Sequence, residues 1–333
     1  MKIQYRTKNK IKKLSFLMAA HNEEKMIPIA LKRLVEVHKD YPYIEVLIGL
    51  DGCTDKTSEI VRGFIRKHKF FRVFEMNERK GKQAVIEKLE PHVKGDIIII
   101  HDADWVFVYK TKKDLLDFIS LFDNEKIGGI ADSIDSEMSK PNFWQIKSLG
   151  FLASAWGNHF LTEYMKKRFA RKIDNNLMAY EENKIKFYPF LDVYRKEAMD
   201  KTRHKSELRA GDHVERTIRI FNAGYEIITF NNKDWPHWNV IYNEQSVKDL
   251  IKQKIRGIVA KKKIQSAYSF KIPFFGFYVP FLFYIIKNSF KTKRFKDFPA
   301  IYVYLFVMFY AIAVSKFKEK MSVKKVWELR VNR

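Results

Sequence analysis

The fold is decided by the stretch Asp96-Ile97-Ile98-Ile99-Ile100-His101-Asp102-Ala103-Asp104. Its four consecutive isoleucines predict a strand that is buried on both faces, as inside a parallel sheet. The apolar run stops at Asp102 and Asp104, whose side chains would point the same way if the chain stayed extended. Ligands of open α/β sheets bind beyond the carboxyl ends of the strands. Two carboxylates at that edge suit Mg²⁺ or Mn²⁺ carrying a diphosphate, and the alternative is a pair of solvated loop aspartates.

Composition predicts a large folded protein of one or two domains. The chain has 333 residues, of which 46% are hydrophobic and 31% are charged, enough apolar surface for a sizeable core. Its single cysteine, Cys53, excludes a disulfide framework and a cysteine-rich zinc site, and it fits a reducing compartment. We expect no secretory signal, because the apolar segment Leu14–Ala20 is too short for one and is better interpreted as a first strand.

The charge of the chain is strongly positive. With 63 basic and 39 acidic side chains, its formal net charge is +24. Such a field favours anionic partners, which include nucleic acid, anionic lipid headgroups and phosphorylated substrates. A generally lysine-rich composition without functional meaning is the alternative, so the charge does not choose among these partners.

A unit of strand, polar turn and helix occurs three times before the isoleucine strand. The predicted elements are strand Leu14–Ala20, a helix ending before Tyr41, strand Ile44–Leu50, helix Lys56–His68, strand Phe71–Glu75 and a helix through Leu89. Such a repeat predicts a parallel sheet with right-handed crossovers.

Each predicted strand delivers a polar turn to the same edge of the sheet. The groups gathered there are Asn22 and Glu23, Asp51, then Arg79, Lys80 and Lys82, and finally Asp102 and Asp104. An acidic group at such an edge can bind a ribose hydroxyl or a base edge, and cations and a helix N-terminus can bind phosphates. Asn22 could instead cap the helix that follows it. Neither a Walker loop nor a G-x-G-x-x-G motif occurs, which argues against phosphate-loop NTPases and nicotinamide-binding enzymes.

Four of these segments resemble the motifs of the inverting glycosyltransferases of family 2. Ala19-Ala20-His21-Asn22-Glu23-Glu24 is similar to the opening motif, usually Pro-x-Tyr-Asn-Glu. Asp51-Gly52-Cys53-Thr54-Asp55-Lys56-Thr57 is similar to Asp-Gly-Ser-Thr-Asp-x-Thr. Lys80-Gly81-Lys82 occupies the Gly-Lys position, and Asp102-Ala103-Asp104 the position of the metal-binding Asp-x-Asp. Four motifs in order across residues 14–104 make a specific match.

The resemblance implies a GT-A fold, a Rossmann-like and mostly parallel α/β sheet flanked by helices, that binds a nucleotide-diphosphate sugar of UDP or GDP type. It implies that Asp51 and Glu23 contact the nucleoside, and that Asp104 provides most of the coordination of Mn²⁺ or Mg²⁺, with Asp102 assisting through the ribose or the metal. The residues predicted to bind the nucleotide are Ala20, Asn22, Glu23, Asp51, Lys80, Lys82 and Asp102. Because Ala19, His21 and Cys53 depart from the family's motifs, the identity of the base is left open.

The candidate catalytic residues lie at the start of a later helix. Arg209–Arg216 precedes a helix that ends at Asn222-Ala223-Gly224-Tyr225, a good C-cap. In the resembled family this place carries a Glu-Asp pair whose Asp is the general base. Counting back from Ala223 places His213 on that Asp, whereas alignment from Gly211 favours Asp212, which we prefer.

Two alternatives apply to this pair. Asp212 could only cap the helix. An acceptor that is an ionised lipid phosphate would need no base at all, whereas a hydroxyl acceptor needs a group that takes its proton.

Two further residues are weaker candidates. His237, in Trp235-Pro236-His237-Trp238 after the predicted last strand Glu226–Phe230, is a possible third metal ligand or diphosphate contact; the alternative is a buried, hydrogen-bonded histidine. Arg256 lies in Gln253–Gly257, which resembles the Gln-x-x-Arg-Trp box of processive synthases except that Gly257 replaces the tryptophan. It would contact the diphosphate or the acceptor, or else lie on a solvated helix face.

The C-terminal region predicts contact with a membrane. Ile272–Ile286 is broken by Pro280 and too short to cross a bilayer, and Phe298–Ser315 is marginal, because a spanning helix needs about 20 apolar residues. The basic segment between them would lie on the wrong side if both spanned. Two interfacial or re-entrant helices that meet anionic lipid avoid that conflict. A single span at 298–315, or core helices of a soluble oligomer, are the alternatives.

Together these features predict three regions: residues 1–125 as the nucleotide-sugar half, 126–245 as the acceptor half and 246–333 as a membrane-associated helical region. The predicted activity is metal-dependent, inverting transfer of a sugar to a lipid-linked or membrane-proximal acceptor. The predicted place is the cytoplasmic face of the cell membrane, as a peripheral or monotopic protein.

Three other functions were weighed. A sugar-phosphate nucleotidyltransferase usually has a Gly-rich basic loop after its first strand, where this chain has Ala20-His21-Asn22-Glu23. A basic nucleic-acid-binding protein would bind in a strongly salt-dependent way and be indifferent to Asp104. An inactive membrane scaffold is the third. We expect no nucleic-acid partner.

Overall fold

The structure of the chain is a computed structural model, and it describes residues 12–131, 134–135, 148–182, 189–202, 212–230, 235–240, 245–269, 274–291 and 295–317. Within these residues, nine strands form one mixed, mostly parallel sheet and three strands form a smaller sheet. Helices cover both faces of the large sheet, and further helices follow at the C-terminal end.

The first half of the large sheet is parallel and comes from the N-terminal part of the chain. It contains β1 (Leu14–Ala20), β2 (Ile44–Asp51), β3 (Phe71–Met76) and β4 (Ile97–Ile100). They lie in the order β3-β2-β1-β4, and each neighbouring pair is parallel. Every residue of β2 and β4 is buried, as expected for a sheet covered on both faces. The predicted repeat of strand, turn and helix is therefore confirmed.

Alternate residues of these strands face different helices. The connecting helices are α1 (Ile27–Asp40), α2 (Thr57–Lys67) and α3 (Lys82–Leu89). Phe16 of β1 belongs to the apolar cluster that contains α1, whereas its neighbour Leu17 belongs to the cluster that contains α3. This follows from the two-residue period of a strand, and it explains why β4 is apolar at every position.

The rest of the chain completes the sheet from more widely separated segments. Its elements are β5 (Trp105–Val108), α4 (Lys112–Ser120), β6 (Ile127–Ala131), β7 (Ile134–Asp135), α5 (Leu149–Phe169), β8 (Ala170–Lys172), β9 (Leu177–Tyr180), β10 (Leu191–Arg195), α6 (Lys196–Asp200), α7 (Asp212–Asn222), β11 (Glu226–Phe230) and β12 (His237–Val240). The strands continue from β4 in the order β10-β6-β11-β9-β8. Strand β10 is antiparallel to both of its neighbours. This strand was not predicted from the sequence.

The small sheet corrects the prediction that Glu226–Phe230 is the last strand. Strand β12 follows it and lies between β5 and β7 in the small sheet. The physical reason is Trp238, which is fully buried with its ring 4.7 Å from that of Phe107 on β5. His237 therefore lies in a strand.

The C-terminal helices pack on one another and on α5. They are α8 (Val247–Ala267), α9 (Val279–Ser289) and α10 (Phe298–Phe317). Helix α10 packs against α8 and α5, and Gly157 of α5 leaves room for Tyr304, whose ring carbon would lie 2.0 Å from an added Cβ. Within the described residues, Phe298–Ser315 is the helical stretch long and apolar enough to cross a membrane, judged by length and composition alone.

Large aromatic side chains are exposed on α9, on α10 and between them. Tyr302, Phe306 and Tyr310 are spaced four residues apart and therefore share one face of α10. Phe306 is 62% exposed, and Phe283 on α9 is 68% exposed. We call the exposed set the aromatic face, and its members are Phe283, Phe290, Tyr302, Phe306, Phe309 and Tyr310.

Candidate active site

The ends of four strands bring the predicted residues to one edge of the large sheet. Strands β1, β2 and β4 are parallel, so their carboxyl ends meet there. Strand β10 runs antiparallel to β4, with Val193 opposite Ile99, so it begins at the same edge. The turn after β4 therefore lies beside the first residues of β10, and the turns after β1 and β2 follow along the same edge.

The turns after β1 and β2 are held together by side-chain hydrogen bonds. The Oδ1 atom of Asn22 accepts from the backbone N–H of Thr54 at 2.8 Å, and its Nδ2 donates to Thr54 Oγ1 at 3.0 Å. The backbone N–H of Glu23 donates to Thr57 Oγ1 at 2.8 Å. Asn22 adopts a left-handed conformation with φ +54°, which asparagine tolerates better than most residues. Since α1 begins only at Ile27, the alternative that Asn22 caps this helix is wrong.

Asp51 fixes the loop that carries the predicted phosphate-binding lysines. Its carboxylate is 2% exposed; Oδ1 accepts from the backbone N–H of Lys80 at 2.6 Å, and Oδ2 from that of Gly81 at 2.8 Å. Gly81 has φ +94° and ψ 157°, a region that is almost restricted to glycine. The glycine of the Gly-Lys motif is thus required by the backbone conformation of this loop. The lysine that follows it, Lys82, is the first residue of α3. On the neighbouring strand, the carbonyl of Ala20 accepts from Cys53 Sγ at 3.4 Å.

The chain does not stay extended between the two aspartates after β4. The backbone N–H of Trp105 donates to the carbonyl of Asp102 at 3.1 Å, so Asp102–Trp105 forms a turn. The premise that both carboxylates point the same way along a continuing strand is therefore wrong. Asp104 is 4% exposed, whereas the side chain of Asp102 is 30% exposed.

A lysine lies directly beside this turn. The Nζ atom of Lys82 lies 2.6 Å from Asp102 Oδ1 and 5.5 Å from the centre of the Trp105 ring. His101 is fully buried, and burial lowers its pKa to about 4, so its imidazole is neutral at pH 7. The fixed charges at this point are therefore one ammonium and two carboxylates.

The residues present fit a divalent cation that is shared with a diphosphate. Among the described residues, no three His, Cys, Asp or Glu side chains cluster closely enough to hold a metal ion by themselves. Mg²⁺ is commonly bound by one or two carboxylates together with substrate phosphates. Asp102 and Asp104 match that pattern, and the close approach of the Lys82 ammonium to Asp102 is the contact expected of an ionised carboxylate.

A buried aspartate that the sequence analysis did not select lies at the same edge. Asp192, the second residue of β10, is 1% exposed. Its Oδ1 atom lies 2.9 Å from His213 Nδ1 and 3.2 Å from an NH2 nitrogen of Arg216. Burial alone would raise the pKa of Asp192, but His213, Arg216 and Lys82 outweigh it and hold this pKa below its ordinary value. The signal in the sequence was a single aspartate inside the apolar run Phe190–Tyr194.

Comparison with known proteins assigns the chain to a family. The sequence profile described as Glycosyl transferase family 2 matches residues 15–189, which is more than half of the 333 residues. The chain belongs to glycosyltransferase family 2. The family expected from the four motifs is therefore confirmed.

Individual relatives support this membership. The chain is 25% identical over 229 residues to the probable glycosyltransferase YdaM of Bacillus subtilis (strain 168), covering 66% of this chain and 49% of that protein. It thus spans about half the length of this relative. It is 22% identical over 226 residues to the undecaprenyl-phosphate 4-deoxy-4-formamido-L-arabinose transferase of Salmonella choleraesuis (strain SC-B67), covering 66% of this chain and 67% of that protein.

A solved structure has a similar fold. The mannosyltransferase PcManGT from Pyrobaculum calidifontis, solved in complex with GDP-Man and Mn²⁺, aligns with a TM-score of 0.51 and 15% sequence identity. The alignment covers 96% of this chain and 79% of that protein. The likeness concerns the fold, and the predicted GT-A type of α/β fold is confirmed.

In this family 2 chain, the candidate base positions lie at the start of α7. Asp212 is the first residue of α7, and its side chain lies outside the described part of the structure. His213 follows it and contacts the Asp192 carboxylate, with the edge of its ring toward Phe190 at a centroid distance of 5.2 Å. Of the two candidates, His213 is thus the one whose contacts are described.

The weaker candidate His237 is not brought to the carboxylate pair. His237 is paired with Val108 at the far end of β5, about 10 Å along the strand from Trp105. Its Nδ1 atom lies 2.8 Å from the carbonyl of Trp235, the hydrogen-bonded arrangement that was the alternative. Arg256 lies on α8, which packs against α5, α7 and α10.

Proposed function

We propose that this family 2 chain transfers a sugar from a nucleotide-diphosphate donor, with metal dependence and inversion, to a lipid-linked or membrane-proximal acceptor. The observation that carries the proposal is the gathering of Asp51, Lys82 and the Asp102 turn at one sheet edge. There the loop of the lysines is fixed by a buried carboxylate, and a lysine already pairs with the carboxylate turn.

The donor would lie across this edge. Asp51 and Glu23 would contact the nucleoside, with Ala20 and Asn22 beside it, since the loops after the neighbouring strands β1 and β2 lie at the same edge of the sheet. Lys80 and Lys82 would meet the diphosphate, because both extend from the loop that Asp51 holds. The structural neighbour was solved with GDP-Man, which supports a nucleotide sugar as the donor class.

Asp104 and Asp102 would hold Mn²⁺ or Mg²⁺. When bound, such an ion neutralises the charge that develops on the leaving diphosphate. Lys82 would share that task, because its ammonium already lies 2.6 Å from Asp102. The neighbour's complex with Mn²⁺ supports a divalent ion.

Inversion would follow from attack on the face of the sugar opposite the diphosphate. A hydroxyl acceptor needs a group that takes its proton, and Asp212 and His213 are the candidates at the start of α7. An ionised lipid phosphate needs none. We assign residues 1–125 to donor binding and 126–245 to acceptor binding, because β10 and α7 approach the edge from the second region.

The helices after residue 246 would bring the enzyme to an anionic membrane on its cytoplasmic face, as a peripheral or monotopic protein. The aromatic face is exposed beside Lys287, Lys291 and Lys296, and aromatic rings at headgroup level with flanking lysines suit an anionic lipid surface. The Salmonella relative is an undecaprenyl-phosphate 4-deoxy-4-formamido-L-arabinose transferase, which supports an acceptor held in a membrane.

The test is transfer of radiolabelled sugar from UDP- and GDP-sugars into a solvent-extractable lipid fraction by the full-length protein in membranes. We expect transfer that needs Mn²⁺ or Mg²⁺ and is abolished by Asp104→Ala. Asp200→Asn, an exposed carboxylate on α6 paired with Lys196, is the matched control. Full transfer by Asp104→Ala, or transfer in the presence of a chelator, would contradict the proposal.

A further inference from the structure

We propose that His213 is the catalytic base of this enzyme and that Asp192 is its positioning residue. This proposal rests on the proposed function, and it requires that the acceptor group is a hydroxyl. Counting back from Ala223 places His213 where the resembled family has its base aspartate. A buried carboxylate from β10 lies against this histidine.

The contact between the two side chains decides the tautomer of the histidine. His213 Nδ1 lies 2.9 Å from Asp192 Oδ1, and an ionised carboxylate can only accept a hydrogen bond. Nδ1 therefore carries a proton, because a lone pair there would face the lone pairs of the carboxylate. In the neutral imidazole the other nitrogen, Nε2, then holds the lone pair that can take a proton.

Arg216 keeps the carboxylate ionised and in place. Its Nε donates to the carbonyl of Leu191 at 2.9 Å, and its NH2 group donates to Asp192 Oδ1 at 3.2 Å. Asp192 and Arg216 are 1% and 4% exposed. The same NH2 nitrogen is 3.1 Å from His213 Nδ1; with Nδ1 protonated, both groups direct a hydrogen to the Asp192 carboxylate. Both contacts are made to Oδ1 of the buried Asp192 carboxylate, whereas the His213 side chain is 20% exposed.

The pair lies beside the donor half of the site. Because Val193 is opposite Ile99, Asp192 is next to the end of β4, from which the chain continues to Asp102. Lys82, which pairs with Asp102, is also close enough to Asp192 to contribute to its lowered pKa. A proton acceptor held by Asp192 would therefore face the same edge as the diphosphate-binding groups.

The step balances as a displacement with general-base assistance. The acceptor oxygen bonds to the anomeric carbon while its proton passes to Nε2 of His213. The bond between the anomeric carbon and the diphosphate oxygen breaks, and its electron pair leaves with the nucleoside diphosphate. Asp192 stays ionised and stabilises the imidazolium, as the aspartate does in Ser-His-Asp triads. The imidazolium then returns its proton to water.

This arrangement predicts a particular pH dependence. The groups that face His213 are the carboxylate of Asp192 on β10, the guanidinium of Arg216 on α7 and the ring of Phe190, and Lys82 acts on Asp192 from α3. The single-turnover rate should rise with pH and reach a plateau as Nε2 loses its proton. Without the carboxylate the imidazolium is less stable, so the rise should move to lower pH.

The experiment compares full-length His213→Gln and Asp192→Asn with two control variants. His92→Gln removes an exposed histidine that stacks on Phe74, and Asp200→Asn removes an exposed carboxylate. Single-turnover transfer is measured between about pH 5 and about pH 9, with donor affinity measured alongside. We expect His213→Gln to lower the rate by about 10² to 10⁴-fold, to remove the rise with pH and to keep donor affinity within about twofold.

Asp192→Asn should lower the rate at least about tenfold and shift the rise to lower pH, while both controls match the unmodified protein. A His213→Gln variant with the unmodified rate and pH profile would overturn the proposal, and it would leave the proposed function standing. Failure of the unmodified protein to bind or transfer any donor would instead refute the proposed function. If Asp192→Asn does not fold, His213→Gln decides, because its partly exposed ring can be replaced without burying an unpaired charge.

Discussion

The proposed donor half, residues 1–125, and the proposed acceptor half, residues 126–245, build their parts of the sheet edge in different ways. In the donor half, polar residues follow strands directly in the sequence and are fixed by backbone N–H groups, as Asp51 is by Lys80 and Gly81. In the acceptor half, Asp192 and His213 come from separate elements and meet through one contact between Oδ1 of Asp192 and Nδ1 of His213. The first arrangement can be predicted from contiguous sequence motifs, whereas the second depends on how segments that are distant in the sequence pack together.

The largest expected effect of this difference is a loss in the free energy of unfolding when the buried pair in the acceptor half is broken. Arg216→Met would leave Asp192 buried without its guanidinium, and breaking a buried pair costs about 3 to 5 kcal/mol. Arg62→Met is the matched control, because Arg62 and Glu75 form an exposed pair of a kind worth about 0 to 1 kcal/mol. Urea denaturation of both variants gives the two free energies of unfolding. Equal, small losses would mean that side-chain pairing does not hold the acceptor half together.

The donor half should instead be sensitive to backbone geometry. Gly52 has φ +61°, and an added Cβ would lie 2.6 Å from the backbone nitrogen of Arg79, so Gly52→Ala should cost about 2 to 4 kcal/mol. Gly63 lies in α2 with nothing within 4 Å of an added Cβ. Gly63→Ala should stabilise the protein by about 0.5 to 1 kcal/mol. Thermal unfolding checks the opposite signs; a stable Gly52→Ala protein would contradict the account of this turn.

A smaller effect is expected on membrane binding, which should depend on the C-terminal helices and not on the donor half. Phe306 and Phe309 belong to the aromatic face, whereas Leu116 on α4 is an exposed apolar residue of the donor half. Replacing both phenylalanines with aspartate should weaken binding to anionic vesicles at least about tenfold, because burial of one such ring is worth about 1.5 to 3 kcal/mol. Leu116→Asp should leave it unchanged. Vesicle flotation measures both, and equal flotation of all variants would argue against the aromatic face as the lipid contact.

The sequence predicted the elements whose signal is continuous. Leu14–Ala20 and Glu226–Phe230 have the predicted bounds as β1 and β11, since each is an apolar run between polar turns. Strand β10 was missed because Asp192 and Arg195 interrupt its pattern, although both side chains are held by contacts in the fold. Strand β12 was missed because a four-residue strand that depends on one buried tryptophan has too little periodicity to detect.

The same distinction applies to the site. Asn22, Asp51, Lys82 and the two aspartates after β4 could be chosen from motifs, because neighbouring parallel strands deliver them to one edge. Asp192 could not be chosen, because its partner is set by the register between β4 and β10. Nothing in the sequence alone gives that register.

The central claim is that this edge binds a nucleotide diphosphate through a divalent ion, and calorimetric titration of UDP and GDP into the full-length protein tests it most directly. The account predicts binding of one nucleotide with Mn²⁺ present, and at least about 100-fold weaker binding with a chelator or with Asp104→Ala. Equal affinity with and without the ion, or in Asp104→Ala, would contradict it.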